Sequence, residues 1–382
     1  MKADRLRVAV LEPYYGGSHA QFVDTVVRNS RHEYVVATMP ARKWKWRMRG
    51  AALWFSREDN AWLGRASGDG PDVILCNDML SVADLRALLP RARRGIPIAC
   101  YFHENQLTYP LPAEDERDYQ YGMTNITSCL AADVVWFNSM FHLEDFLTAV
   151  GGLLAKMPDC VPPGIVEAIR QKSDVRPPPV DVASDDRRRQ RGCAEPLAIV
   201  WPHRWEFDKN PEAFFDALLR LDEAGCDFRV VLLGEQFRTA PPVFESSWSR
   251  LKTHIVHAGF LPDRAAYLSI LRGCDVVVST AIQENFGIAV AEAILAGCQP
   301  LLPNRLVYPE LVPEHLHADC LYSSDIDLFD RLRLLTEHSG VLERPCAKAL
   351  QAHLREKCGV TRAVGRLDDG LSELLAGQTR SA

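Results

Sequence analysis

The stretch from Cys274 to Gly297 constrains the fold more than any other part of the chain. Cys274-Asp275-Val276-Val277-Val278-Ser279-Thr280 is a short β-branched run of the kind that forms a buried parallel strand. Gly287 to Ala296 is rich in small apolar helix formers and ends at Gly297, a C-terminal stop. The unit reads strand, loop, helix. Glu284 sits in the loop, and Phe286, Gly287 and Ile288 place backbone N–H groups at a helix N-terminus, where orphan amides suit an anion. Glu292 follows about a turn and a half into the helix. Two carboxylates flanking an amide nest fit a ligand with sugar hydroxyls at one end and phosphates in the middle. The plainer alternative is a helix cap and a solvated carboxylate.

The same strand-then-helix order recurs along the chain, which predicts parallel, doubly wound α/β sheets. In the first half, strands are expected at Leu6–Glu12, Tyr34–Thr38, Pro71–Cys76, Ile96–Tyr101 and Asp133–Asn138, with helices such as Ala20–Asn29, Val82–Arg93, Tyr119–Ala131 and Ser139–Val150. From about residue 173 to 196 the composition shifts to prolines and arginines without periodicity, which reads as an exposed linker. A second α/β series follows, with strands at Leu197–Trp201, Phe228–Leu233 and Thr253–Ala258, and the part after Asp325 is mainly helical. The expected organisation is therefore residues 1–172, a linker at 173–196, and residues 197–382 including the C-terminal helices.

Composition narrows the function classes. The 382 residues suffice for two domains, and 47% hydrophobic with 25% charged residues is ordinary for a soluble protein. A net charge of −6 argues against a general nucleic-acid binder and leaves room only for local basic patches. No segment has the length and apolarity of a membrane span. The 11 cysteines contain no CxxC pair, and several lie in strand-like runs, which suggests reduced core residues in a cytoplasmic protein. No Asp-x-Asp motif at a strand end and no His/Cys ligand set stands out, so catalysis without a metal is expected.

Three further segments carry candidate chemistry. The first strand runs into Pro13-Tyr14-Tyr15-Gly16-Gly17-Ser18-His19, where Gly16 and Gly17 admit a ligand close to the backbone and His19 lies at the loop tip. The loop lacks the full GxGxxG fingerprint, which disfavours a dehydrogenase. Arg42, Lys43, Trp44, Lys45, Trp46, Arg47 and Arg49 form a basic segment interleaved with tryptophan, the composition of a loop-RNA contact or of an amphipathic helix with a solvated face. Phe102-His103-Glu104-Asn105-Gln106 bunches polar groups at a strand's carboxyl end, as a substrate-facing loop does. In the second half, Arg204 and Lys209 flank a strand-to-helix turn and can face one anion.

Two α/β domains, a central linker, the Arg204/Lys209 pair and the Glu284-x7-Glu292 motif together resemble a GT-B glycosyltransferase of family 4. The runs Leu11 to His19, Arg42 to Arg49, Phe102 to Gln106 and Trp201-Pro202-His203-Arg204-Trp205-Glu206-x-Asp208-Lys209-Asn210-Pro211 are similar to the tRNA-queuosine mannosyltransferase family. That resemblance implies two Rossmann-like domains facing a central cleft, and a retaining, metal-independent transfer of mannose from GDP-mannose to queuosine at position 34 of the tRNA-Asp anticodon. It implies that Arg204 and Lys209 neutralise the departing diphosphate, Glu284 holds a sugar hydroxyl, and His103 faces the sugar. Donor binding would fall to Gly16, Gly17, Phe286, Gly287, Ile288 and Glu292. The acceptor tRNA would meet His19, the Arg42–Arg49 segment, Glu104 and Asn105. Two other expectations stand beside it: a family 4-type enzyme acting on a lipid or polysaccharide, and a nucleotide-sugar binder without transfer activity.

Overall fold

The structure, a computed structural model, describes residues 5–64, 70–112, 116–182, 195–236, 240–337 and 345–379. Within it the chain divides into two compact units, one of residues 1–179 with 360–382 and one of residues 180–359.

The first unit is built on a parallel sheet of β1 (Arg7–Tyr15), β2 (Glu33–Pro40), β3 (Val73–Asn77), β4 (Ile98–Phe102), β5 (Val134–Phe137) and β6 (Ser173–Val175), in the order β2-β1-β3-β4-β5-β6. Its helices are α1 (Gly17–Asn29), α2 (Trp44–Phe55), α3 (Val82–Leu88), α4 (Tyr119–Ala131), α5 (Met140–Leu154) and α6 (Ile165–Gln171). Successive strand residues alternate between two cores. Ala9, Leu11, Ile74, Cys76, Ile98, Cys100 and Phe102 enter one, with α2 to α5. Val8, Val10, Val73, Leu75, Ala99 and Tyr101 enter the other, with Phe22, Val23 and Val26 of α1. Both faces are covered, so the strands read as continuous apolar runs. The helix expected over Val82–Arg93 stops at Leu88, because Pro90 cannot continue it, and resumes as a 3₁₀ turn at Arg91–Arg93.

The second unit repeats the plan with β7 (Leu197–Trp201), β8 (Phe228–Leu233), β9 (Ile255–Gly259), β10 (Val276–Val278), β11 (Gln299–Pro303) and β12 (Leu321–Tyr322), ordered β12-β11-β10-β7-β8-β9 and parallel throughout. Its helices are α7 (Pro211–Glu223), α8 (Val243–Leu251), α9 (Arg264–Arg272), α10 (Ile288–Ala296), α11 (Tyr308–Leu311), α12 (His317–Cys320), α13 (Asp325–Glu337) and α14 (Pro345–Cys358). The last helix is α15 (Val360–Thr379). The carboxyl ends of β7 and β10, adjacent at the middle of this sheet, carry the Arg204–Lys209 and Gln283–Glu284 loops. This is the topological switch point, where open α/β sheets bind ligands.

Two expected boundaries move. Residues 173–175, read as the start of the linker, are instead the edge strand β6, paired with Val135–Phe137. The C-terminal helix, expected to close the second domain, belongs to the first unit: Val364, Leu367, Leu371 and Leu374 of α15 enter the core of Val8, Val10 and Phe22. Asp368 adds bonds to the Ser30 hydroxyl at 2.5 Å and the Arg31 N–H at 3.0 Å. A buried apolar stripe must find a core, and that of α15 matches the open face of the first sheet. The arginine-rich run at 187–191 lies outside the described residues.

Candidate active site

In the second unit, the chain leaves β7 through a turn that ends at Asn210 in the left-handed conformation, with Pro211 as the first residue of α7. This turn is welded to the loop after β10. The Thr280 hydroxyl donates to the Lys209 carbonyl at 2.8 Å, and the N–H groups of Ile282 and Gln283 donate to the Asp208 carbonyl at 2.9 and 3.3 Å. Lys209 is buried at 8% exposure, and its Nζ donates to the Gln283 carbonyl at 2.8 Å. The same ammonium lies 3.1 Å from Asp208 Oδ2 and 3.4 Å from Glu284 Oε2. Burial works against its charge, but Glu284 and Asp208 more than offset this and hold the Lys209 pKa above its usual value. Arg204, exposed, pairs with Glu206 at 3.0 Å and adds a second positive charge near Lys209.

Glu284 also closes its own loop: its Oε1 accepts the Gly287 N–H at 3.0 Å. Gly287, at φ +82° in the left-handed region, is the N-cap of α10. The expected nest of three free amides is therefore smaller, because Gly287's N–H is spent on Glu284. Phe286 is buried in the loop, and the N–H of Ile288 begins the helix without an intrahelical acceptor. Glu292, buried at 3% exposure, is gripped by two residues of α9: Arg264 Nη2 at 2.6 Å from Oε1 and the Tyr267 hydroxyl at 2.9 Å from Oε2. Burial and the Glu292 carboxylate push the Tyr267 pKa well up. Arg264 and Tyr267 were not singled out from the sequence. Their only signal is that the helix carrying them precedes the β10 motif.

The first unit gathers a separate cluster at the carboxyl ends of β1, β3 and β4. Glu12 accepts the Tyr14 N–H at 2.7 Å and the Asn77 amide at 2.6 Å, and lies 3.5 Å from His19 Nδ1. The His19 and His103 rings lie 4.3 Å apart. The His103 N–H donates to Asp78 Oδ1 at 2.8 Å, and Asp78 is fully buried. Burial lowers the His19 pKa, yet Glu12 first and then Asp78 and Glu104 outweigh it and raise the value to about 9. Burial and the neighbouring His19 hold His103 well below 6.5, so it stays neutral. Burial and Glu104 push Asp78 up to about 8. The 3.0 Å contact of the Asn77 amide with His19 Nδ1 suits a ring with a lone pair there. The buried Glu12 carboxylate, 3.5 Å from Nδ1, outweighs one neutral hydrogen bond, and Asn77 keeps Glu12 as its acceptor, so the ring is an imidazolium at neutral pH.

The fold brings together a set of potential ligand groups that their spacing in the sequence does not reveal. Glu12, His19 and His103 bring ligand atoms within 4.8 Å of one another from three parts of the chain. The Asn77 amide already links Glu12 with His19.

Other expected contacts divide between surface and interior. Gly16 packs against Ala41, where an added Cβ would lie 2.5 Å away, and Gly17 opens α1 at φ +54°. Lys45, Trp46 and Arg49 are exposed on α2, and Arg42 and Lys43 precede it, exposed as well. Arg47 is a correction: it is buried, and its Nε and Nη2 both donate to the Pro40 carbonyl, at 3.1 and 3.0 Å. It ties α2 to β2 instead of presenting a charge. Asn105 is a second correction: at 1% exposure its Oδ1 accepts the Leu107 and Thr108 N–H groups and shapes the loop from within. His19 is buried at 6% exposure beside the His103 ring. Glu104 is half-buried beside Gln106, whose amide donates to it at 3.2 Å.

Residues 7–180 match the family described as tRNA-queuosine alpha-mannosyltransferase N-terminal, and residues 184–339 match Glycosyl transferases group 1. A curated tRNA-queuosine alpha-mannosyltransferase of Drosophila melanogaster is 39% identical over 326 residues, which is 82% of this chain and 84% of that protein. A GDP-mannose-dependent alpha-(1-6)-phosphatidylinositol dimannoside mannosyltransferase of Mycobacterium tuberculosis is 28% identical over 127 residues, 33% of this chain and 32% of that one. Among solved structures, sucrose-phosphate synthase of Thermosynechococcus elongatus superposes with a TM-score of 0.71 at 12% identity, over 98% of this chain and 100% of that one. Anabaena HepE in complex with UDP and glucose gives 0.65 at 16% identity, over 97% and 100%. These likenesses establish the GT-B fold.

Proposed function

The chain belongs to the tRNA-queuosine alpha-mannosyltransferase family, and on that premise we propose that it moves mannose from GDP-mannose to queuosine in a tRNA anticodon, at position 34 of tRNA-Asp. The observation that carries this reading is Lys209, a buried ammonium kept charged by Glu284 and Asp208 at the switch point of the second sheet. A glycosyl donor departs as a diphosphate, so a fixed cation there acts on charge that grows in the transition state.

In this reading Arg204 and Lys209 face the diphosphate and Ile288 offers it an amide. Glu284 accepts a hydroxyl of the mannose, and Glu292 takes the ribose hydroxyls. The bond from the anomeric carbon to the leaving phosphate oxygen breaks through an oxocarbenium-like state. A queuosine hydroxyl oxygen bonds to that carbon on the same face, and its proton passes to the leaving phosphate. No metal is required, because the cations of the chain itself meet the developing charge. The first unit supplies the acceptor side, with neutral His103 over cationic His19 and the basic, tryptophan-bearing α2 for the tRNA.

Transfer of radiolabel from GDP-mannose to purified tRNA-Asp, with and without queuosine, tests this. Label only on the queuosine tRNA is expected, insensitive to EDTA. Lys209→Ala is expected to reduce the rate by about 10²–10³-fold, the loss typical of a fixed transition-state charge partner. Label on neither tRNA, with slow hydrolysis of the donor, would exclude this acceptor.

A further inference from the structure

The exposed cations of α2 are held over aromatic rings. Lys45 Nζ lies 5.6 Å from the Trp44 ring centre and 6.0 Å from that of Tyr121, and the Arg49 guanidinium lies 5.3 Å over Tyr121. Tyr121 meets Trp44 edge to face at 5.0 Å, and Arg49 Nη2 donates to the Gln120 side chain at 3.0 Å. The arrangement then continues beyond α2. On the first turn of α4, Tyr119 is 42% exposed, with Lys156 Nζ 5.6 Å over its ring and 3.4 Å from its hydroxyl. Parts of the chain distant in sequence thus build two cation–aromatic groups, joined into a strip through the first turn of α4: Trp44, Lys45, Arg49 and Tyr121 in one, Tyr119 and Lys156 in the other.

Among the described residues no carboxylate forms an ion pair with Lys45, Arg49 or Lys156, although Arg57, Arg170 and Arg250 on other surfaces all have such partners. Asp118, the acid that precedes Tyr119, accepts the Gln120 N–H as the N-cap of α4. In a protein of net charge −6, unpaired cations braced by rings form a ready surface for phosphates, and the exposed edges and faces of Trp46 and Tyr119 can stack with bases. A lipid surface is the competing occupant, through Leu53 and Trp54 further along α2. It fits less well, because a ring that inserts into lipid gains nothing from a cation fixed over its face.

We propose that this strip is an RNA-binding surface, and that the acceptor tRNA is held on α4 and the turn after α5 as well as on α2. The inference rests on the tRNA reading above and extends it to Tyr119, Tyr121 and Lys156. Its contacts are phosphates and ring faces, so it binds tRNA with or without queuosine.

The test is the affinity of the full-length protein for purified tRNA-Asp across a salt series, beside its affinity for GDP-mannose. Lys156→Glu, a change at an exposed position, is expected to weaken tRNA binding at least ten-fold and to reduce the salt slope by about one. Tyr121→Ala is expected to do the same through the loss of the Lys45 and Arg49 brace, while Tyr121→Phe retains affinity. GDP-mannose affinity stays unchanged in all three. If wild type binds tRNA and neither Lys156→Glu nor Tyr121→Ala weakens it, the strip is refuted and the acceptor reading stands. No salt-sensitive tRNA affinity in wild type overturns both. Binding of wild type to phosphatidylserine vesicles instead of tRNA, lost in Tyr121→Ala, assigns the strip to a membrane surface and also refutes it.

Discussion

Lys209 and Glu292 carry opposite charges into nearly dry surroundings, and each survives there for a stated reason. Lys209 has Asp208 and Glu284 around it, and Glu292 has Arg264 and the Tyr267 hydroxyl. Neither set could be assembled by spacing alone, since Arg264 and Tyr267 reach Glu292 from a helix more than twenty positions earlier. Arg264 holds one oxygen of Glu292 and Tyr267 the other, which fixes the orientation of the carboxylate. Tyr267 is accordingly a positioning residue. Tyr267→Phe removes one hydrogen bond to a charged group, about 1.5–3 kcal/mol. Its expected signature is a donor KM raised roughly ten-fold or more with kcat nearly unchanged, read from initial rates at saturating tRNA. An equal fall in kcat would place Tyr267 in the chemical step.

At the scale of elements, the site is a matter of loops fixed to the ends of strands. The Arg204 loop lies against the start of the loop after β8, where Trp205 donates to the Glu235 carbonyl at 3.0 Å. A Cβ on Gly234 would lie 1.9 Å from the His203 carbonyl oxygen, which no side-chain motion relieves, because the clash is with backbone. Gly234→Ala is expected to displace the Arg204 turn, with a loss of about 3 kcal/mol or more in stability and a comparable loss of donor affinity. Chemical denaturation and donor titration read the two separately. The strand-to-helix turns themselves were legible in the sequence, down to Ser139, which opens the expected helix and is the N-cap of α5. Arg47 and Asn105 were not distinguished from their exposed neighbours. Whether an arginine in a basic helix faces solvent depends on where β2 passes, and an asparagine in a polar loop can serve the loop or a ligand with the same residue type.

At the scale of the whole molecule, the chain passes from the first unit to the second at residue 180 and returns at residue 360. The two crossings run side by side, with Val180 N–H donating to the Cys358 carbonyl at 2.8 Å. The last helix is therefore a structural part of the first unit. Ending the chain at Gly359 strips Val364, Leu367, Leu371 and Leu374 from a core that includes Phe22 and Trp136. The expected outcome is loss of amide protection in β1, β3 and β4, with α7 and β8 still protected, measured by hydrogen exchange. Equal loss in both units would mean that α15 supports the second unit as well.

The sequence alone determined the two parallel α/β sheets, the strand ends that carry Arg204, Lys209, Glu284 and Glu292, and the family. Strand runs, glycine stops and motif residues are local signals, each readable within about ten neighbours. Only the tertiary structure decided that the final helix returns to the first unit, that Arg264 and Tyr267 hold Glu292, and that Glu12 makes His19 the charged member of a histidine pair. It likewise assembled Lys45, Tyr121 and Lys156 into one surface. These depend on which apolar face covers which, and on charges brought together by burial, and neither is written in the spacing of residues along the chain.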